Sequence, residues 1–199
     1  GIPVRRVPAY SPHAVAEPAL AIILSLGRRT PRADTRVRDG NFALDGLLGY
    51  DLYGKTLGVI GTGRIGTVFA EIMKGFGMRM LAYDTYPNEA MPAMGATYVE
   101  LPQQFAESDI IALHAPLTSS THHLVTAETL SLVKHGVTIV NTSRGGLIDT
   151  DAAIDALKDG RLGYLGLDVY EAEHEVGFFE DPSASIIQDD TVARLLTFP

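Results

Sequence analysis

Three glycines at fixed spacing are the residues whose chemistry is easiest to recognise. Gly61, Gly63 and Gly66 form a Gly-x-Gly-x-x-Gly pattern between a short apolar run and a segment with helical periodicity. This pattern is typical of a turn that holds the pyrophosphate of a dinucleotide. The first glycine permits a tight turn, the second lets the backbone approach the phosphates, and the third lets helix and strand pack closely. The phosphates would then lie at the positive end of the helix, beside Arg64.

An acidic residue after the next predicted strand indicates which dinucleotide is bound. Asp84 follows Gly66 by 18 residues, close to the roughly 20 that the motif prescribes. Its carboxylate can accept hydrogen bonds from a ribose 2′-hydroxyl but would repel a 2′-phosphate. NAD is therefore the expected cofactor rather than NADP. A plain connecting turn is the alternative interpretation, and the strand, the helix and Asp84 together argue against it.

Polar residues also follow three later predicted strands, and such positions bind ligands in open parallel sheets. The three segments are 113–118 with Thr121, 141–146 and 166–173.

Short β-rich runs alternate with helical stretches from Lys55 onward, which is typical of βαβ units and a parallel sheet. The predicted fold class is therefore α/β, a Rossmann-type doubly wound parallel sheet. Before it, a helix is expected from Ser11-Pro12 to Arg28-Arg29, bent or delayed in its start by Pro18. A short helix after Thr30-Pro31 and a loop over 41–54 complete the lead-in. Strands are predicted near 56–60, 80–83, 97–99, 110–113, 137–140 and 164–167, and helices near 65–76, 102–107, 127–133 and 151–158.

Composition excludes several classes of function. A formal net charge of −8 leaves no basic field for nucleic acid or anionic lipid. The longest apolar run, 19–26, is too short to span a membrane. Cysteine is absent, which removes thiolate metal sites and fits a reducing cytoplasm. No residue pattern indicates a metal, and the expected partners are small molecules or protein.

The motifs GTGRIG, HAPLT, NTSRGGLID and LGLDVYEAE, in this order and spacing, resemble the D-isomer-specific 2-hydroxyacid dehydrogenases across nearly the whole chain. Within that family, the segments RVPAYSPHAVAE, FFED and IIQDD are most similar to the fermentative D-lactate dehydrogenases. The resemblance implies that Arg64 and Ile65 contact the pyrophosphate and Asp84 the adenosine ribose. It implies that the rest of the dinucleotide path is lined by Ala115, Pro116, Thr121, Thr142 and Asp168.

The same resemblance implies two catalytic residues. Arg144 would anchor the substrate, a role that suits the planar guanidinium because it can grip a 2-oxo acid's carboxylate with two hydrogen bonds. Glu173 would orient a catalytic histidine and raise its pKa. The family's histidine motif is not found before Pro199, and most of the family's substrate domain is absent. The chain is expected to comprise interdomain helices and a loop (1–54) and the NAD-binding domain (55–199).

The expected activity is hydride transfer between NADH and a small 2-oxo acid, pyruvate to D-lactate in the first instance. Reduction of glyoxylate, hydroxypyruvate or longer 2-oxo acids stays open, as does a co-repressor-like NAD sensor without catalysis. A homodimer is expected because the apolar helix 19–26 and the leucine-rich stretch 44–52 need cover. His114 is interpreted as structural, and His13, His122, His123, His135 and His174 are given no chemical role.

Overall fold

The computed structural model describes residues 11–173 and 189–198. Six strands in this part of the chain form one parallel sheet in the order β3-β2-β1-β4-β5-β6. This order is that of the classic Rossmann sheet and confirms the predicted fold class. The strands are β1 (Thr56–Ile60), β2 (Arg79–Tyr83), β3 (Thr97–Tyr98), β4 (Ile110–Leu113), β5 (Val137–Asn141) and β6 (Leu162–Leu167).

Helices connect the strands, as the sequence predicts, with boundaries that differ by a few residues. They are α1 (Pro12–Arg28), α2 (Thr30–Arg38), α3 (Arg64–Lys74), α4 (Ala90–Ala93), α5 (Leu101–Glu107), α6 (Ala127–Leu132), α7 (Thr150–Lys158) and α8 (Asp190–Leu195), with a 3-10 turn at Gly145–Leu147. The four-residue helix α4 was not predicted, because Pro92 and the short run give no helical periodicity. None of the described helices has the length and apolar character needed to cross a membrane.

The expectation that Pro18 delays the first helix is wrong, because α1 begins at Pro12 and continues past Pro18. Pro18 deprives the carbonyl of Ala14 of its helical hydrogen bond. Both residues lie on the exposed side of the helix, where water can satisfy that carbonyl. The buried side of the helix holds it in place, because Ala16, Ala19 and Ile23 are fully inaccessible to solvent.

The apolar helix 19–26 is covered on its inner face by its own chain. Helix α1 packs against α3, β5 and β6 of the same chain, and its inner residues join the hydrophobic core formed with Phe69 and Met73. A second core on the other face of the sheet contains Phe105, Leu130 and Ala153. The inner face of this helix therefore gives no support to a homodimer, which stays a prediction.

The last residues of five strands lie side by side in one row. Tyr83 pairs in register with Ile60, Ile60 with Leu113, Leu113 with Asn141, and Asn141 with Leu167. All five strands are parallel, so the loops that follow them emerge at the same edge of the sheet. The strand order reverses between β1 and β4, and this point of an open sheet is where ligands bind.

Candidate functional site

The glycine turn between β1 and α3 is close-packed and leaves no room for side chains at two positions. Gly61 has a φ of +94°, in the region that L-residues rarely adopt. A Cβ on Gly61 would lie 2.5 Å from the carbonyl carbon of His114, and one on Gly66 would lie 1.9 Å from the carbonyl oxygen of Gly61. The turn and the start of α3 can approach this closely only because both residues are glycine.

Gly63 differs because a Cβ there would meet no protein atom within 4 Å. It precedes α3, whose N-terminus receives no side-chain capping hydrogen bond. Arg64, exposed, and Ile65, partly buried, are the first two residues of that helix. Uncapped amides beside an open backbone surface suit a phosphate. The described residues therefore fit the pyrophosphate of a dinucleotide at the predicted place.

Asp84 is held in position by the glycine turn itself. One carboxylate oxygen accepts hydrogen bonds from the backbone amide of Thr62 at 2.6 Å and from its hydroxyl at 3.2 Å. The other oxygen accepts one from the backbone amide of Tyr86 at 2.9 Å. Thr62 in turn shares a 2.7 Å hydrogen bond with the hydroxyl of Tyr98. Thr62 is a functional residue that the sequence motifs do not single out, although it lies between two motif glycines.

One cleft contains five of the predicted cofactor residues and lies at the edge where β1, β2 and β4 end. Its lining includes Gly61, Asp84, Ala115, Pro116 and Thr121. The hydroxyl of Thr121 donates to the carbonyl of Pro116 at 2.6 Å and accepts from the amide of Thr118 at 2.8 Å. Thr121 therefore shapes the loop that forms one wall of the cleft. The opposite wall carries Asp84.

Thr142 and Asp168 lie further along the same edge, after β5 and β6. Thr142 is 6% exposed, and its Oγ1 has no hydrogen-bond partner among the described residues. A buried hydroxyl without a partner is costly, so it is suited to a ligand that supplies one. Asp168 is exposed, and its amide donates to the carbonyl of Asn141 at 3.1 Å.

Arg144 is exposed at the end of the loop that follows β5. Buried Asn141 fixes this loop, because its side chain donates to the carbonyl of Arg144 at 2.8 Å and accepts from the amide of Ser143 at 3.0 Å. The hydroxyl of Ser143 donates to the carbonyl of Leu113 at 2.8 Å. The sequence places Asn141 and Ser143 in the strand-end segment 141–146 but does not reveal that they fix the Arg144 loop.

The segment that carries Glu173 packs against the Arg144 loop. A Cβ on Gly145 would lie 2.1 Å from the carbonyl oxygen of Tyr170, so the two backbones are in direct contact. The carboxylate of Glu173 accepts a hydrogen bond from the amide of Tyr170. The two predicted catalytic side chains therefore belong to adjoining backbone segments, whereas His174 lies outside the described residues.

His114 lies behind the glycine turn. Its ring packs against Phe69 with centroids 4.7 Å apart, and both ring nitrogens are inaccessible to solvent and without a hydrogen-bond partner in the described chain. Burial lowers the pKa of this imidazole from 6.5 to about 4, because the charged form loses its hydration. The ring is therefore neutral at physiological pH, in agreement with a structural role.

A second histidine makes a contact that sequence reasoning missed. Nε2 of His123 is hydrogen-bonded to Oε1 of Glu171, and Oε2 of Glu171 accepts from the hydroxyl of Thr150 at 2.7 Å and its amide at 3.2 Å. Burial on its own would raise the pKa of Glu171, but the hydrogen bonds from His123 and Thr150 leave it lowered. The partners are 48 residues apart, so no local motif could reveal the pair.

Comparison with known proteins places these features in a family. Residues 20–193 match the model described as "D-isomer specific 2-hydroxyacid dehydrogenase, NAD binding domain". The D-lactate dehydrogenase of Escherichia coli K12 is 55% identical over 195 residues, which are 98% of this chain and 59% of that protein. The chain thus spans less than two thirds of the length of this relative.

Solved structures give the same result. A structure titled as the pyruvate reductase of Chlamydomonas reinhardtii superposes with a TM-score of 0.93 at 47% identity, covering all of this chain and 60% of the other. D-lactate dehydrogenase from Aquifex aeolicus, solved with NAD and lactic acid, has a TM-score of 0.84 at 41% identity, covering 96% and 57%.

Proposed function

This chain belongs to the D-isomer specific 2-hydroxyacid dehydrogenase family, as its NAD-binding domain, and we propose that it serves the reduction of pyruvate to D-lactate by NADH. The observation that supports the proposal most strongly is that the predicted cofactor and substrate residues lie at the same edge of the sheet. The glycine turn, the Asp84 cleft and the adjoining Arg144 and Glu173 segments all follow strands that end in one register row. A dinucleotide along this edge and a 2-oxo acid beside Arg144 would therefore lie next to each other.

In this proposal the cofactor is held mainly by backbone. Amides at the start of α3 would bind the pyrophosphate, with Gly61, Gly63 and Gly66 making the close approach possible and Arg64 and Ile65 flanking it. Asp84 would accept hydrogen bonds from the ribose hydroxyls. The remaining path would run past the other strand-end residues, Ala115, Pro116, Thr121, Thr142 and Asp168. When bound, NADH supplies the hydride.

Arg144 would hold the substrate. Its exposed, planar guanidinium can hold a carboxylate with two parallel hydrogen bonds. Such a grip also places positive charge near the carbonyl oxygen, where negative charge develops during reduction. Glu173 would orient a histidine that protonates this oxygen.

Domain organisation and assembly are further parts of the proposal. We assign residues 1–54 to the interdomain helices and loop, and 55–199 to the NAD-binding domain.

A homodimer is supported by the large apolar side chains that the 41–54 loop exposes: Phe42, Leu44, Leu48 and Tyr53 are 75%, 81%, 90% and 82% exposed. Several large apolar side chains exposed on one loop are typical of an interaction surface. The absence of cysteine fits the cytoplasm.

Two alternatives can be separated from pyruvate reduction by one assay of the full-length protein. NADH oxidation would be followed with pyruvate, glyoxylate, hydroxypyruvate and a longer, branched 2-oxo acid. The proposal predicts the highest kcat/KM with pyruvate. A higher value with another acid would reassign the substrate, and NADH binding without oxidation of any acid would favour an NAD sensor.

The 199-residue chain provides a second test, which separates binding from catalysis. Calorimetric titration should detect NADH binding, because the proposed cofactor contacts lie within residues 61–168. Addition of pyruvate should then cause no NADH oxidation, since the residues that the structure describes include no identified proton donor at the carbonyl. Failure to bind NADH would refute the cofactor assignment, and steady oxidation would mean that this chain supplies its own proton donor.

A further inference from the structure

We propose that His122, His123 and Glu171 bind one divalent transition-metal ion of the zinc type. One potential ligand atom from each of these residues lies within 4.8 Å of the others. Imidazole nitrogen and carboxylate oxygen are ligands that Zn²⁺ commonly takes, and three protein ligands leave a fourth position for water. We call these three residues the histidine–glutamate cluster.

Binding requires the ligand atoms to move closer together and the imidazole rings to reorient. Zinc bonds of about 2.0–2.2 Å in a tetrahedral arrangement place ligand atoms about 3.3 Å apart, against a present upper bound of 4.8 Å. The rings of His122 and His123 are stacked, with centroids 3.9 Å apart and planes 27° from parallel. The lone pair of an imidazole nitrogen lies in the ring plane, so at least one ring must rotate out of the stack for both nitrogens to point at the same ion. His123 and Glu171 are already hydrogen-bonded. Binding would replace this hydrogen bond, and both imidazoles must give up any extra proton to ligate the ion.

Supporting contacts hold two of the three ligands. The second oxygen of Glu171 is fixed by the amide and hydroxyl of Thr150, which leaves Oε1 directed at His123. The backbone amide of His123 donates to the carbonyl of Gly146 at 2.8 Å, and its φ of 50° is one that few non-glycine residues adopt. Outer hydrogen bonds of this kind orient the ligands of metal sites and raise affinity.

The site is accessible and its surroundings are acidic. His122 is exposed, and the side chains of His123 and Glu171 are 33% and 29% exposed. The depression that contains His123 and Glu171 is also lined by Asp149 and Asp151, and the chain carries a net charge of −8. A cation is therefore attracted to the depression and can enter it from solvent.

The role of His122 distinguishes a metal site from a simple ion pair. The His123–Glu171 pair needs only those two residues to join the loop after β4 to the segment after β6. His122 makes no hydrogen bond to that pair in the described structure and contacts it through its ring stack on His123, but as a ligand it completes a three-ligand set. An ion bound by all three would cross-link the same two segments more firmly and stabilise the folded state by an amount that rises with the logarithm of its concentration once the site is saturated.

The test uses the chain without a histidine tag. Calorimetric titration with ZnCl₂ at neutral pH should show saturable binding of one ion per chain, and Co²⁺ should give the visible absorption of a four-coordinate site. His122→Ala should weaken binding by about tenfold or more, and Thr150→Val by about tenfold, in the range measured when supporting contacts of metal sites are removed. ZnCl₂ should also raise the melting temperature of the wild type more than that of His122→Ala.

His135→Ala is the matched control, because His135 precedes β5 at the opposite edge of the sheet. It should bind Zn²⁺ as the wild type does. His122 is exposed, so its replacement leaves the fold intact, and circular dichroism would verify this. Equal affinities of the wild type and His122→Ala, or the absence of saturable binding in the wild type, would overturn the proposal.

Discussion

The cofactor half and the substrate half of the candidate site are built in different ways. The cofactor half, around the glycine turn, consists of backbone packed so closely that two added methyl groups would lie within 2.5 Å of other backbone atoms. The substrate half presents side chains, Arg144 and Glu173, on loops that are fixed from behind by buried Asn141 and by contact between Gly145 and Tyr170.

The two halves should therefore respond differently to substitution. Changes at Gly61 or Gly66 should affect folding and cofactor binding together, because the same packed backbone atoms serve both, whereas a change at the open position Gly63 should affect binding far more than folding. Changes of an exposed side chain in the substrate half should alter catalysis alone.

Gly66→Ala should have the largest effect. Its Cβ would lie 1.9 Å from the carbonyl oxygen of Gly61, so the turn and α3 must separate, which costs about 3 kcal/mol of unfolding free energy. NADH binding should be lost as well. Urea denaturation and calorimetry measure the two effects.

Gly63→Ala is the matched control, because its Cβ would meet no protein atom. It should lose about 1 kcal/mol or less, from the poorer N-cap. NADH affinity should nevertheless fall tenfold or more, since the methyl group occupies the space of the phosphates. Wild-type stability in Gly66→Ala, or wild-type NADH affinity in Gly63→Ala, would contradict this account of the turn.

Acid should destabilise the cofactor half through His114. Its pKa is about 4 in the folded chain, against an ordinary value of about 6.5, so the unfolded state takes up a proton first as the pH falls. The free energy of unfolding is therefore unaffected by His114 above pH 6.5. As the pH falls from 6.5 to about 4, it decreases by up to about 3 kcal/mol. Below that pH, this residue contributes no further loss.

His114→Leu should remove this dependence. Denaturation curves measured between pH 6.5 and 4 should be flatter in the variant than in the wild type. Carboxylates whose pKa is lowered by folding, such as Glu171, stabilise the folded state above a pH of about 4.5 and lose this stabilisation only below it. Their effect on the denaturation curves is therefore the same in wild type and variant and serves as the internal reference. Parallel curves for wild type and variant would show that His114 does not titrate in this way.

Arg144→Lys in the full-length protein should lower kcat/KM for pyruvate by tenfold or more. Lysine keeps the charge but cannot form the paired hydrogen bonds of guanidinium, and a loss of about 1.4 kcal/mol in transition-state stabilisation corresponds to a factor of ten. NADH affinity and stability should stay within error of the wild type. A substantial loss of NADH binding would mean that Arg144 belongs to the cofactor half.

Asp84→Asn should have the smallest effect. It removes the charge that would repel a 2′-phosphate and keeps an oxygen that can accept hydrogen bonds from Thr62. The preference for NADH over NADPH should narrow by about tenfold, equivalent to about 1.4 kcal/mol. Competitive titration with the two cofactors measures the ratio. Equal affinities in the unsubstituted chain would refute the role of Asp84.

The sequence determined the class of fold and the cofactor half by itself. Alternation of strand and helix patterns predicted the parallel sheet, and the glycine spacing with Asp84 predicted the turn. These features can be predicted because each depends on residues that are close together in the chain. The strands and helices follow from a periodicity of a few residues, the turn from positions that require glycine, and the cofactor preference from an acidic residue after the next strand. The family resemblance added the roles of Arg144 and Glu173, which no local pattern supplies.

Contacts between residues that are far apart in the sequence became visible only in the three-dimensional structure. It showed that α1 covers its own sheet in spite of Pro18, that Thr62 fixes Asp84, that Asn141 fixes the Arg144 loop, and that Glu171 reaches His123 across 48 residues. Such contacts depend on the order of strands in the sheet and on which loops emerge at the same edge. Packing of the whole chain determines the strand order and the position of the loops, and neither can be predicted from short segments of sequence.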